Sequence, residues 1–143
     1  MKKFRFPLQA ALDYALHKED MEKMALAELQ AERVELTARQ KEIFQALHKA
    51  EDERAAGAEM TSGELQIYNR FIDSQRKRLQ RMNLAIRGLD SKIRAQRRKL
   101  VEASRKRKTL DRLKERQHSA HTQEASRLQQ QESDDLHLLR LPR

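Results

Sequence analysis

The amino-acid sequence predicts an all-α fold, a long antiparallel two-helix coiled coil that folds back on itself near residues 57–63. Glycine and proline are scarce, while Ala, Glu, Lys, Leu, Arg and Gln dominate, a composition typical of long helices. Two runs of heptad-spaced apolar residues flank a short break that holds two of the three glycines. We therefore expect one domain over 1–143, with helix one about 7–56, helix two about 62–130 and a tail over 131–143 that is frayed or ordered by a partner.

The first helix has a heptad pattern that is regular in its second half and interrupted near its start. Pro7 suits the first helical position, because its ring presets φ and its missing N–H would be unpaired there. At the a and d positions, Glu19 and Glu22 replace apolar residues, which indicates either a stutter in the repeat or a second binding face. Phe44 falls at position e and is interpreted as widening the edge of the core.

The break between the two runs contains signals for a helix end and a helix start. Gly57 can adopt the left-handed conformation that closes a helix at little steric cost. Thr61 and Glu64 have capping-box spacing, so that each side chain can satisfy a free backbone N–H of the other residue. A helix stop followed by a capped start predicts an αα-hairpin.

The second helix has the cleaner apolar seam. Eleven of its fourteen a and d positions up to Leu110 are apolar, so this stripe must be buried. The a positions are Leu65, Ile72, Leu79, Ile86, Ile93, Leu100 and Arg107, and the d positions are Tyr68, Gln75, Met82, Leu89, Gln96, Ala103 and Leu110. The first stripe starts at Leu8 and the second ends at Leu110, and their midpoint, residue 59, lies inside the predicted turn.

Charge is distributed unevenly along the chain. Residues 1–63 carry ten basic and twelve acidic side chains, a net of −2, whereas residues 70–116 carry eighteen and five, a net of +13. Three interpretations remain open: a solvated face, an acidic protein partner or nucleic acid. No aromatic residue lies between Arg76 and Arg116, which disfavours nucleic acid because stacking side chains are missing.

The sequence shows no catalytic, cofactor-binding or metal-binding motif, and we predict neither an enzyme nor a bound cofactor. His118 and His121 lie near Glu115 and Glu124, but two histidines on one helix are interpreted as surface residues. With no cysteine, no apolar run long enough to span a bilayer and no signal-peptide pattern, the expectation is a soluble cytoplasmic protein.

Three segments resemble the FliJ family, small soluble proteins of the flagellar type III export apparatus. They are Phe4-Arg5-Phe6-Pro7-Leu8-Gln9, Tyr68-Asn69-Arg70-Phe71-Ile72 and Leu110-Asp111-Arg112-Leu113-Lys114-Glu115-Arg116. The resemblance covers essentially the whole chain and implies a coiled coil similar to the central stalk of rotary ATPases. It also implies a location at the cytoplasmic face of the inner membrane, without insertion into the bilayer.

The partners implied by the resemblance are the hexameric export ATPase, the membrane protein of the export gate and chaperones of export substrates. The residues assigned to the ATPase are Phe4, Phe6, Leu8, Arg105, Arg107, Arg112 and Arg116, and those assigned to the gate are Tyr68, Phe71 and Ile72. Because Tyr68 and Ile72 are also seam residues, Phe71 at position g is the clearest candidate for contact with a partner.

Two alternatives to this hypothesis remain. One is a basic coiled-coil protein that binds nucleic acid, motivated by the segment of net charge +13. The other is a parallel coiled coil between separate molecules, in contrast to the monomer expected of a hairpin. Nucleic acid is the less favoured partner.

Overall fold

The computed structural model describes residues 2–142, and its two helices confirm the all-α antiparallel hairpin. Helix α1 spans Gln9–Ala56 and helix α2 spans Ser62–Arg140. Helix α1 starts two residues after Pro7, because residues 7 and 8 form a turn in which the Gln9 N–H donates to the Phe6 carbonyl at 3.1 Å. Helix α2 ends ten residues beyond the predicted position 130.

The connection between the helices corrects one prediction and confirms another. No described glycine has a positive φ, so the left-handed conformation predicted for Gly57 is wrong. A Cβ atom at this position would meet the flexible thioether side chain of Met60, which would have to move to accommodate it. The Glu64 N–H donates to the Thr61 hydroxyl at 3.3 Å, which confirms Thr61 as the N-cap of α2.

Residues Lys23–Lys99 form one compact unit that contains the turn and the regular part of both stripes. Its core includes Leu47, Ala50 and Ile72, with Tyr68 and Leu79 packed against them. Farther along α2, most a and d positions are buried, as predicted from the heptad frame: Gln75, Ile86, Leu89, Ile93 and Gln96. Leu79 and Met82 are half-buried, and Leu65, the predicted seam residue nearest the turn, is 42% exposed.

Hydrogen bonds along one flank of this unit fix the antiparallel register. Arg54 pairs with Asn69 (3.0 Å), Gln40 with Asn83 (2.5 Å) and Arg33 with Asp90 (2.5 Å). From the turn outward, successive pairs are separated by fourteen and then seven residues on both helices. Because these steps are whole heptads, α1 and α2 keep the same antiparallel register along this length. The Arg33 guanidinium lowers the pKa of the Asp90 carboxyl, mainly through its hydrogen bond.

The other compact unit combines the chain up to Glu22 with the chain from Leu100 onward. Here Leu12, Ala15 and Ala103 are buried, and Glu19 is only 4% exposed. The Glu19 carboxylate accepts a hydrogen bond from Arg107 at 3.0 Å, so an ion pair replaces an apolar layer. Because Glu19 and Glu22 both stay shielded in the original heptad frame, the predicted stutter is wrong.

The last part of this unit is an exposed helical segment. Every described residue from 126 to 142 is exposed, including Leu136 and Leu139, although the segment is helical as far as Arg140. The tail predicted to be frayed or ordered by a partner is therefore helical as far as Arg140 and exposed over its described residues.

Candidate partner-binding surfaces

The predicted gate residues lie close together on α2 but differ in their exposure. Ile72 is completely buried and belongs to the core between the helices, so it is not available for direct contact with a partner. Tyr68 packs against the core, and its hydroxyl donates to Glu53 at 3.0 Å, which raises the pKa of the phenol. Phe71 is 42% exposed and is the one predicted gate residue with a large free apolar face.

An open apolar cavity of about 330 Å³ lies beside Phe71 and gives this surface its shape. Ala46 and Ala50 of α1 form one wall, and Ile67 and Phe71 of α2 form the other. The small alanine side chains leave the space that the larger side chains border. The prediction did not include Ile67, which is 69% exposed, although its apolar side chain at an outward heptad position was a signal for it.

The predicted terminal residues lie along α2 in the other compact unit. The Phe4 ring contacts His118 edge-on with centroids 5.0 Å apart, and it lies 5.6 Å from His121. The Nε2 atom of His121 is 3.0 Å from the Lys2 carbonyl oxygen. Phe6 is buried and Leu8 is 43% exposed, so Leu8 and part of Phe4 form the apolar surface of this segment.

The predicted arginines of this unit divide into one that is paired and three that are exposed. Arg107 donates to Asp111 at 2.8 Å and to Glu19 at 3.0 Å, and these bonds raise its pKa. It therefore serves the seam as a structural group. The exposed arginines, with charges directed to solvent, are Arg105, Arg112 and Arg116.

Two further features of the described residues concern metal ions and membranes. Among residues 2–142, no group of three or more His, Asp or Glu side chains is placed to hold a metal ion. His118 and His121 instead contact Phe4. Within the same range, no helix combines the length and apolar character needed to cross a membrane.

Comparison with known families identifies the type of protein. The model of the family described as "Flagellar FliJ protein" matches residues 4–143. The chain belongs to the FliJ family. No curated protein and no solved structure matches it. FliJ proteins are structural components of the flagellar protein-export apparatus.

Proposed function

We propose that this FliJ protein acts in flagellar type III protein export by holding partner proteins together through two separate surfaces. The family match over residues 4–143 is the observation that supports this proposal most strongly. One surface binds the hexameric export ATPase and the other binds the export gate, at the cytoplasmic face of the inner membrane. The protein also helps to handle substrate chaperones.

The gate-binding surface consists of Phe71, Ile67 and the cavity beside them. A partially exposed aromatic residue next to an open apolar cavity is typical of the few residues that dominate binding energy at protein interfaces. Tyr68 forms the polar edge of this surface through its hydrogen bond to Glu53. Ile72 contributes by holding α2 against α1.

The ATPase-binding surface consists of Phe4 and Leu8 together with the exposed Arg105, Arg112 and Arg116. Exposed arginines steer association with acidic protein surfaces, and apolar side chains beside them slow dissociation. Contact with several subunits at once would promote ring assembly by raising their effective concentration.

The gate contact is tested by substituting Phe71 with alanine and measuring affinity for the purified cytoplasmic part of the gate protein. We expect Phe71→Ala to weaken binding at least about tenfold, as truncation of an aromatic anchor does, with helicity unchanged. Val34→Ala, which truncates another exposed apolar residue of the same unit, should leave binding intact. Equal affinities of Phe71→Ala and the natural protein would reject the gate contact.

The ATPase contact is tested by stimulation of ATP hydrolysis by the purified hexamer. We expect the Arg112→Glu/Arg116→Glu variant to lose most of the stimulation because both charges at the proposed contact are reversed. Arg87→Glu/Arg98→Glu has the same change in net charge at exposed positions outside this surface and should retain stimulation. Loss of stimulation in both variants would indicate a general effect of charge and count against the proposed site.

A further inference from the structure

The side of α2 that points away from α1 in the unit Lys23–Lys99 is strongly basic. We call the b, c and f heptad positions from Arg70 to Arg98 the outward face. Its basic side chains are Arg70, Lys77, Arg81, Arg87, Arg94 and Arg98, and all are exposed. Asp73 is the only acidic side chain on this face. Across 70–99, α2 carries eleven basic and two acidic residues.

The chain neutralises this face only in part. Asp73 lies among its cations, and Arg94 adds to the effect of the Arg33 hydrogen bond that lowers the pKa of Asp90. Two carboxylates of this unit form ion pairs between α1 and α2, and both pairs lie next to the seam. Glu51 pairs with Arg76 at 2.9 Å, and Asp90 pairs with Arg33. Among residues 2–142, no carboxylate lies within ion-pairing distance of the six outward cations. The uncompensated charge must therefore be balanced by solvent ions or by an anionic partner.

A shallow depression beside the outward face brings four cations together. Arg70, Lys77 and Arg81 of this face line it with Arg78, Ser74 and the acidic Asp73, and its volume is about 490 Å³. Arg70, Ser74, Lys77 and Arg81 lie at i, i+4, i+7 and i+11 spacing, which places these three cations on one side of the helix. Guanidinium and ammonium groups grouped around a hydroxyl suit phosphate oxygens.

Leu84 favours a lipid surface over nucleic acid as the anionic partner. It lies in the middle of the outward face at position f, and 67% of its side chain is exposed. An isolated leucine among basic residues gains nothing from a nucleic-acid backbone, but it can enter the boundary between lipid headgroups and acyl chains. The absence of aromatic residues from Arg76 to Arg116 also removes stacking contacts with bases.

We propose that the outward face of α2 binds the surface of an anionic phospholipid bilayer. The basic side chains contact lipid phosphates, and Leu84 inserts between the headgroups. This inference goes beyond the contacts proposed above. Its experiment uses neither the ATPase nor the gate, so the two proposals can fail separately.

The test measures binding of the full-length protein to vesicles. We expect sedimentation with vesicles of phosphatidylglycerol, not with vesicles of phosphatidylcholine, and weaker binding as salt rises. Lys77→Glu/Arg81→Glu should reduce binding at least about 25-fold, at about fivefold for each basic side chain removed. Arg39→Glu/Lys41→Glu changes the net charge equally on α1 and should bind like the natural protein. Equal losses in both variants would overturn the proposal.

A second variant separates lipid from nucleic acid. Leu84→Gln keeps every charge, and its exposed position makes a folding defect unexpected, which circular dichroism can check. We expect it to weaken vesicle binding and to leave binding to a DNA duplex unchanged. The proposal fails if the natural protein does not bind anionic vesicles. It also fails if the duplex binds more tightly than the vesicles and Leu84→Gln affects neither.

Discussion

The seam and the outward face of α2 lie on the same helix within the unit Lys23–Lys99, but they are specified by different physical constraints. On the seam, Ile72, Ile86, Leu89 and Ile93 are at most 9% exposed. On the outward face, the six basic side chains are exposed, and Asp73 is the only acidic side chain among them. Stability therefore depends on one side of the helix, which leaves the composition of the other side free to serve a partner.

The largest expected effect comes from deleting a buried side chain of the seam. Ile72→Ala removes three methyl or methylene groups from a completely buried site, and we expect a loss of about 2–5 kcal/mol in the free energy of unfolding. Ile67→Ala, the same substitution at a 69% exposed site five residues earlier, should cost less than about 0.5 kcal/mol. Chemical denaturation measures both. Similar losses would contradict the assignment of the two sides.

A smaller loss is expected at the charged layer of the seam in the other unit. Glu19→Ala leaves Arg107 without its buried carboxylate, so the variant should be less stable than Glu28→Ala, a change at an exposed position. Replacing both Glu19 and Arg107 with leucine should recover much of the loss, because apolar packing then replaces the ion pair. Thermal unfolding compares the three variants. A Glu19→Ala variant as stable as Glu28→Ala would show that the pair is not important for folding.

A modest gain is expected on the outward face. Gly88 lies within α2, and a Cβ atom there would meet nothing within 4 Å. Gly88→Ala should therefore stabilise the protein by about 0.5–1 kcal/mol through helix propensity alone. Denaturant titration measures this gain. A loss of stability would mean that this part of the outward face is packed against another part of the protein.

The smallest effect concerns the dependence of stability on pH at the edge of the seam. Because Arg33 lowers the pKa of Asp90 in the folded state, this pair contributes stability above the unfolded pKa. That contribution is lost as pH falls through the lowered folded pKa. Asp90→Asn and Arg33→Gln should each flatten this acid dependence of the unfolding free energy. An unchanged profile in both variants would show that the hydrogen bond does not persist in solution.

Much of the seam was predictable because burial imposes a heptad period on the sequence. The buried positions from Ile72 to Ala103 were all identified, and so was Thr61 as a helix cap. The buried pair of Glu19 and Arg107 was not predicted, because each is polar when considered alone. Only the folded register brings them together from 88 residues apart.

The candidate surfaces were less predictable for a related reason. The gate residues came from a resemblance, and only the heptad frame separated Phe71 at position g, which is exposed, from the seam residue Ile72, which is buried. The cavity beside Phe71 is lined by Ala46 and Ala50. Their short side chains leave space between the helices, and this effect is visible only once the helices are packed together. The heptad period shows which positions face outward, but it does not show which of these positions border a cavity.

Cross-linking within one molecule tests the antiparallel hairpin most directly. The chain has no cysteine, so Gln40→Cys/Asn83→Cys introduces a single reactive pair at a hydrogen-bonded position of the hairpin. In dilute solution, a short bifunctional maleimide should give a cross-linked monomer. The same reagent should leave Gln40→Cys/Arg98→Cys without an intramolecular link. Covalent dimers in place of the cross-linked monomer would show that the two stripes pair between molecules and would contradict the hairpin.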